Sequence, residues 1–269
     1  MMIVLIIVVI VILVVTVIAA GAGAMAAYVH WQSIMWGIGL LIALNGLFCL
    51  GLVRYHVPSA ERPSIVKNIG AVLRDWNFNI YAIINGLTTS GQSCFFTYLT
   101  LFLTTVLRSS QELASLAMGL AQTASAVARV GWGIASDRYY AGRRAKLLAW
   151  LCGGSAVFLV MMGFLGTWIG GVYGIAIAVG LTSALGLTLA GFQPVAQAIT
   201  VEAVEPRLAG SAVGVNMVGV HLGNMAGPMI FGWCIDYFGG FGAGWWISGV
   251  IVAAGTLLLI FVFKERGSV

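Results

Sequence analysis

The chain has 269 residues, 61% of them apolar and 8% charged, where a soluble domain carries about 25% charged residues. So few charges cannot cover a water-facing surface, which excludes a soluble globular protein and leaves an all-α integral membrane chain. The net charge of +5 does not mark a nucleic-acid binder, because the basic residues lie in short segments between apolar runs rather than in one patch.

A helix needs about 20 apolar residues to cross a hydrocarbon core about 30 Å thick. Eight runs qualify, at residues 3–24, 32–53, 77–107, 112–135, 146–166, 171–200, 208–234 and 244–263. The first, an Ile/Val core followed by AAGAGAMAA, has two readings, a span and a cleaved signal peptide. It reads as a span because it lacks a basic leader and exceeds the about 7–15 apolar residues of a signal peptide. The segment from Arg54 to Trp76 holds Pro58, Pro63, charges of both signs and an amphipathic stretch. It divides the chain into a two-helix unit (1–53), a linker (54–76) and a six-helix bundle (77–269). Trp245 and Trp246, at the start of the last run, read as an interfacial anchor.

The basic residues orient these spans. With the amino terminus inside, the inner segments hold Arg54, Arg62, Lys67, Arg74, Arg138, Arg143, Arg144, Lys146, Arg207, Lys264 and Arg266. The outer segments hold Arg108, and Arg129 lies within a run. That bias puts both termini in the cytoplasm, with a bacterial inner membrane as the expected setting. Cys49, Cys94, Cys152 and Cys234 all sit inside apolar runs without paired spacing, so neither disulfides nor a metal site is expected.

The strongest local signal runs from Gly131 to Arg144, GWGIASDRYYAGRR. A glycine allows close helix approach, an acid and an arginine follow at the membrane exit, a second glycine turns the chain, and paired arginines lead into the next run. This resembles the loop motif of the major facilitator superfamily, G-x-x-x-D-R/K-x-G-R/K-R/K, matched by Gly133, Asp137, Arg138, Gly142, Arg143 and Arg144 with two extra residues at Tyr139–Ala141. EAVEPRLAGSAVG, GVHLGNMAGPMIFGWCIDYFGG and HWQSIMWGIGLLIAL also resemble stretches of that family, so the eight runs correspond to its helices five to twelve. The resemblance implies a major-facilitator-type helical bundle of about eight transmembrane helices, incomplete beside the family's twelve. It also gives the loop motif a gating or structural role, in which Asp137 meets a helix amino terminus or a basic residue. A faint repeat agrees: Gly133-x-x-x-Asp137 and Gly232-x-x-x-Asp236 end runs three apart, as in the inverted repeats of transporters.

Polar residues at helical spacing supply the substrate-cavity candidates. Run three offers Asn85, Thr89 and Gln92. Run four offers Gln122, Ser125 and Arg129, with Ser115 on the same face. Run six offers Thr182, Gln193 and Gln197 beside Gly186 and Thr200, with Pro194 as a kink. In run seven, Asn216 shares a stripe with Gly219, Gly223 and Gly227 that suits helix packing, whereas His221 and Asn224 point elsewhere and suit a cavity. Arg129 has two readings, an anion or gating contact and a snorkelling structural arginine. The second is favoured because snorkelling relieves much of the burial cost near a helix end. Pro194 and Pro228 read equally as hinges or as static kinks.

The resemblance implies secondary transport of a small solute by alternating access. No Walker A sequence supplies ATP, no cofactor is expected, and a coupling ion such as a proton is left open. The alternative is a truncated or degenerate, non-transporting membrane protein that depends on a partner chain for the helices it lacks. An enzyme is disfavoured, since His221 and Arg129 are the reactive groups within runs and neither HExxH nor G-x-S-x-G occurs. The expected partners are a small-molecule substrate and the lipid bilayer.

Overall fold

The computed structural model describes residues 30–52, 65–141, 143–165, 168–169 and 171–265. The first expected span (3–24), Gly142, Arg54, Arg62 and Arg266 therefore lie outside the described residues. The chain divides into two compact units, Met1–Pro63 and Ser64–Val269. In the first unit, α1 (Trp31–Leu52) is an uncharged helix of 22 residues.

The second unit begins inside the expected linker. There α2 (Ile65–Arg74) sets Val72 into a small core with Phe78, Ala203, Val204 and Ala212. The unit continues as α3 (Trp76–Thr105), α4 (Gln111–Tyr139), α5 (Arg144–Phe164), α6 (Gly171–Leu187), α7 (Gln193–Glu202), α8 (Ala209–Phe238) and α9 (Phe241–Phe261). Local chemistry sets the ends. Asp75 and Ser110 accept hydrogen bonds from Phe78 N and Leu113 N as amino-terminal caps of α3 and α4. Gly239, in the left-handed region at φ 72°, ends α8 as only glycine does without strain.

These helices follow the expected runs closely, except that run six is two helices. Among the described residues, α4, α5 and α9 are long and apolar enough to cross a membrane, and α6 is apolar over 17 residues. The 30-residue α3 and α8, about 45 Å long, are long enough, but their polar side chains hold down their hydropathy. The expected count of eight spans thus exceeds what length and composition establish here.

In the second unit α3 lies against α8 and α9, α5 against α9, and α4 against α6. The α3–α8 seam is made by absent side chains. A Cβ on Gly219 would stand 2.7 Å from the Ala82 carbonyl oxygen, and Cβ atoms on Gly223 and Gly227 would collide with the carbonyls of Gly86 and Ser90. Such small-residue stripes let backbones meet where lipid offers no hydrophobic drive for association. Trp245 corrects the anchor reading. It is fully buried between Phe102 and Phe231, whose rings meet it edge-on at 5.6 and 4.9 Å. The aromatic residues crowding α3 and α8 give its ring more contact than the interface could. Trp246 stays partly exposed beside Phe164.

Gly223→Val should force α3 and α8 apart and cost about 1–3 kcal/mol of stability. Gly214→Ala, on the same helix with open space around it, should be neutral or gain up to about 1 kcal/mol. Thermal unfolding of the purified variants in detergent checks both.

Candidate functional site

Run six breaks at residues 188–192, between α6 and α7, rather than kinking at Pro194. Pro194 lies in the first turn of α7. There it costs no helical bond, because the first N–H groups of a helix have no partner four residues back, and the turn before it leaves the Ala190 carbonyl outside both helices. Ala190 is fully buried, so its oxygen needs another donor. Ser125 Oγ supplies one at 3.0 Å and Arg129 Nε a second at 3.4 Å. One turn further along α4, Trp132 Nε1 donates to the Leu187 carbonyl at 2.8 Å, in the last turn of α6. The polar stripe of α4 thus supports the break.

Pro228 differs, since it lies inside the continuous α8. It frees the Asn224 carbonyl, which accepts from Ser93 Oγ of α3 at 2.9 Å, while Tyr98 OH donates to the Pro228 carbonyl at 3.0 Å. Both prolines stand out in the sequence, but their donors do not. For Pro228 the i−4 carbonyl was the available signal.

A buried polar chain joins three helices. Asn85 Nδ2 donates to Asn216 Oδ1 at 2.8 Å, and Asn216 Nδ2 donates to Thr200 Oγ1 at 3.2 Å. Thr200 Oγ1 and Tyr81 OH both donate to the Ala196 carbonyl, at 2.8 and 2.6 Å. Thr89, also buried, donates within its own helix to the carbonyls of Asn85 and Gly86 and reaches Val220 O at 3.4 Å.

The remaining candidates differ in kind. Thr182 is fully buried on α6, and its hydroxyl has no partner among the described residues. Gln92 is buried on α3, and His221 is exposed on α8. Gln122, Gln193 and Gln197 are half-buried on α4 and α7. Their amides spend no hydrogen bond on the protein among the described residues. Asn224 is half-buried, and only its backbone carbonyl is engaged.

The loop motif gathers charge at one end of the unit. Arg144, at the start of α5 with its side chain 13% exposed, pairs with Asp137 at 2.7 Å and Glu202 of α7 at 3.0 Å. It also donates to Ser136 Oγ at 3.0 Å. Glu265 lays its carboxylate on the amino terminus of α5, accepting from Arg144 N at 2.7 Å and Ala145 N at 3.3 Å. Asp137, 71% exposed, therefore meets a basic residue, and the helix amino terminus is met by Glu265 instead. Arg138 and Arg143 are exposed, and Gly133 passes Pro194 at ordinary contact. Glu202 and Glu265 lie far from the motif in sequence, so no local pattern pointed to them.

The family model described as Major Facilitator Superfamily matches residues 2–185 and again 81–268. No curated protein matches the sequence.

Arg144→Gln should cost about 1–2 kcal/mol, since it leaves the buried Ser136 hydroxyl without its donor and removes two partly screened ion pairs. Asp137→Asn, at an exposed and screened pair, should cost about 0–1 kcal/mol. Unfolding midpoints in detergent separate the two.

Proposed function

Because the chain belongs to the Major Facilitator Superfamily, a family of small-solute membrane transporters, we propose that it carries a small polar solute by secondary active transport with alternating access. The observation that carries this reading is the division between spent and unspent polar groups. Asn85, Asn216, Thr200 and Ser93 hold helices together through hydrogen bonds. Gln122 of α4, and Gln193 and Gln197 of α7, keep donors and acceptors free among the described residues while half-buried in a unit short of polar groups. Side chains of that kind are retained where water or a solute completes their bonding. Arg129 stands on the same stretch of α4, its Nε on the Ala190 carbonyl, and offers its remaining N–H groups to an anionic or carbonyl-bearing solute.

The break between α6 and α7 suits alternating access. Discontinuous helices expose backbone groups near a solute and allow one half-helix to move against the other. In the second unit the basic residues gather where α4 ends and α5 begins, with Lys264 tied to Asn77 there, whereas Arg108 stands after α3 at the opposite end. That asymmetry supports a multi-pass chain with this end, and both termini, in the cytoplasm, in keeping with a bacterial inner membrane.

A thermal-shift screen of amino acids, sugars and organic acids on the purified chain identifies a stabilising solute, and proteoliposome uptake then gives its KM. Gln193→Leu and Gln197→Leu should each raise KM about 3- to 10-fold, the worth of one lost hydrogen bond, without lowering the unfolding midpoint. Unchanged KM in both variants and in Gln122→Leu would remove this stripe from the solute path.

A further inference from the structure

A slot runs between α5 and α9, and none of the three glutamines lines it. It has a volume of about 780 Å³, in the range of sites that hold small molecules. Its walls are apolar, with Trp150, Val157, Leu259 and Ile260 among them. Below the slot the helices close tightly, because a Cβ on Gly249 would stand 2.6 Å from Val160 Cγ2. Above it, the Glu265 carboxylate bridges to the backbone of Arg144 and Ala145. Between these closures the α5 wall extends from Ala145 to Val157, about 18 Å at 1.5 Å per residue.

Gly154 opens onto the slot. A Cβ at Gly154 would meet nothing within 4 Å, unlike one at Gly249 or Gly163. A mid-helix glycine weakens a helix relative to alanine, and here no neighbouring atom requires it. What it leaves is open space in the slot.

The charges at the mouth are unequal. Arg144 is engaged by Asp137 and Glu202, and the Glu265 carboxylate lies on backbone N–H groups. Lys146 lines the slot, is exposed, and has no ion pair among the described residues. The open charge at the end of an apolar slot is therefore a cation.

We propose that this slot holds an acyl chain of a phospholipid whose phosphate sits on Lys146. An apolar channel ending in a lysine complements a lipid tail and its phosphate, as basic pockets between membrane helices do. The site depends on the chain lying in a membrane and not on transport, so it stands or falls separately from the solute path.

Native mass spectrometry of the full chain in neutral detergent tests it with three probes: dioleoylphosphatidylglycerol, dioleoylphosphatidylethanolamine and dioleoylglycerol. The phosphatidylglycerol, with or without the phosphatidylethanolamine, should be retained and the phosphate-free dioleoylglycerol released. Lys146→Gln should lower phospholipid retention about fivefold, and Gly154→Leu should abolish it by filling the slot. Lys67→Gln, an exposed lysine on α2, should leave retention unchanged. Equal retention by wild type and Lys146→Gln, or retention of dioleoylglycerol as strong as that of the phospholipids, overturns the assignment. Should Gly154→Leu fail to elute as a single folded species, Lys146→Gln decides alone.

Discussion

A backbone carbonyl left without a helical donor in an apolar interior must find one elsewhere, and that requirement organises the second unit. An unpaired buried polar group costs about 1–3 kcal/mol, and lipid offers no water to relieve it. The turn at 188–192 leaves one such oxygen on Ala190, and Pro228 releases another on Asn224. Each is met from a neighbouring helix, by Ser125 with Arg129 on α4 and by Ser93 on α3. The hydroxyls that satisfy the breaks also fasten α4 and α3 to the elements that carry them. Irregularity and helix association thus have one cause.

Donors as short as serine reach a neighbouring backbone only if the helices come close. The glycines of α8 permit that, since Gly219, Gly223 and Gly227 present bare backbone to Ala82, Gly86 and Ser90. The same proximity brings Asn85 onto Asn216 and Asn216 onto Thr200. A buried amide pair that is fully engaged holds register between helices, and one left half-engaged weakens them. Small residues and polar residues therefore work as one device along this seam.

The charged end obeys a different rule, because water is near. Arg144 is shielded enough to be held by two carboxylates and a serine, whereas Asp137 remains mostly in solvent. Glu265 adds a favourable interaction with the amino-terminal dipole of α5 and ties the end of the chain to the loop motif. Three loops are joined at this end, while the opposite end carries few charges. The proposed solute path and the proposed lipid slot differ in chemistry for the same reason. One is lined by amides that have no partner among the described residues, the other by apolar walls with a cation at the mouth.

Composition argued against a soluble domain, because 8% charged residues cannot solvate a surface, and the length of the apolar runs argued for membrane helices. Apolar runs located nearly every helix of the second unit, and the loop motif between Gly133 and Arg144 identified the family. These features are local, so they survive without knowledge of packing. Tertiary structure decided the rest. Hydropathy cannot see the break at 188–192, because the residues there are as apolar as a helix and only the donors on α4 make the break affordable. Trp245 resembles an anchor by position, yet its burial depends on Phe102 and Phe231 from other helices. Glu202 and Glu265 join the loop motif only in space. Which polar residues are spent on neighbours and which stay free depends on what stands opposite each one, and a helical stripe leaves that open.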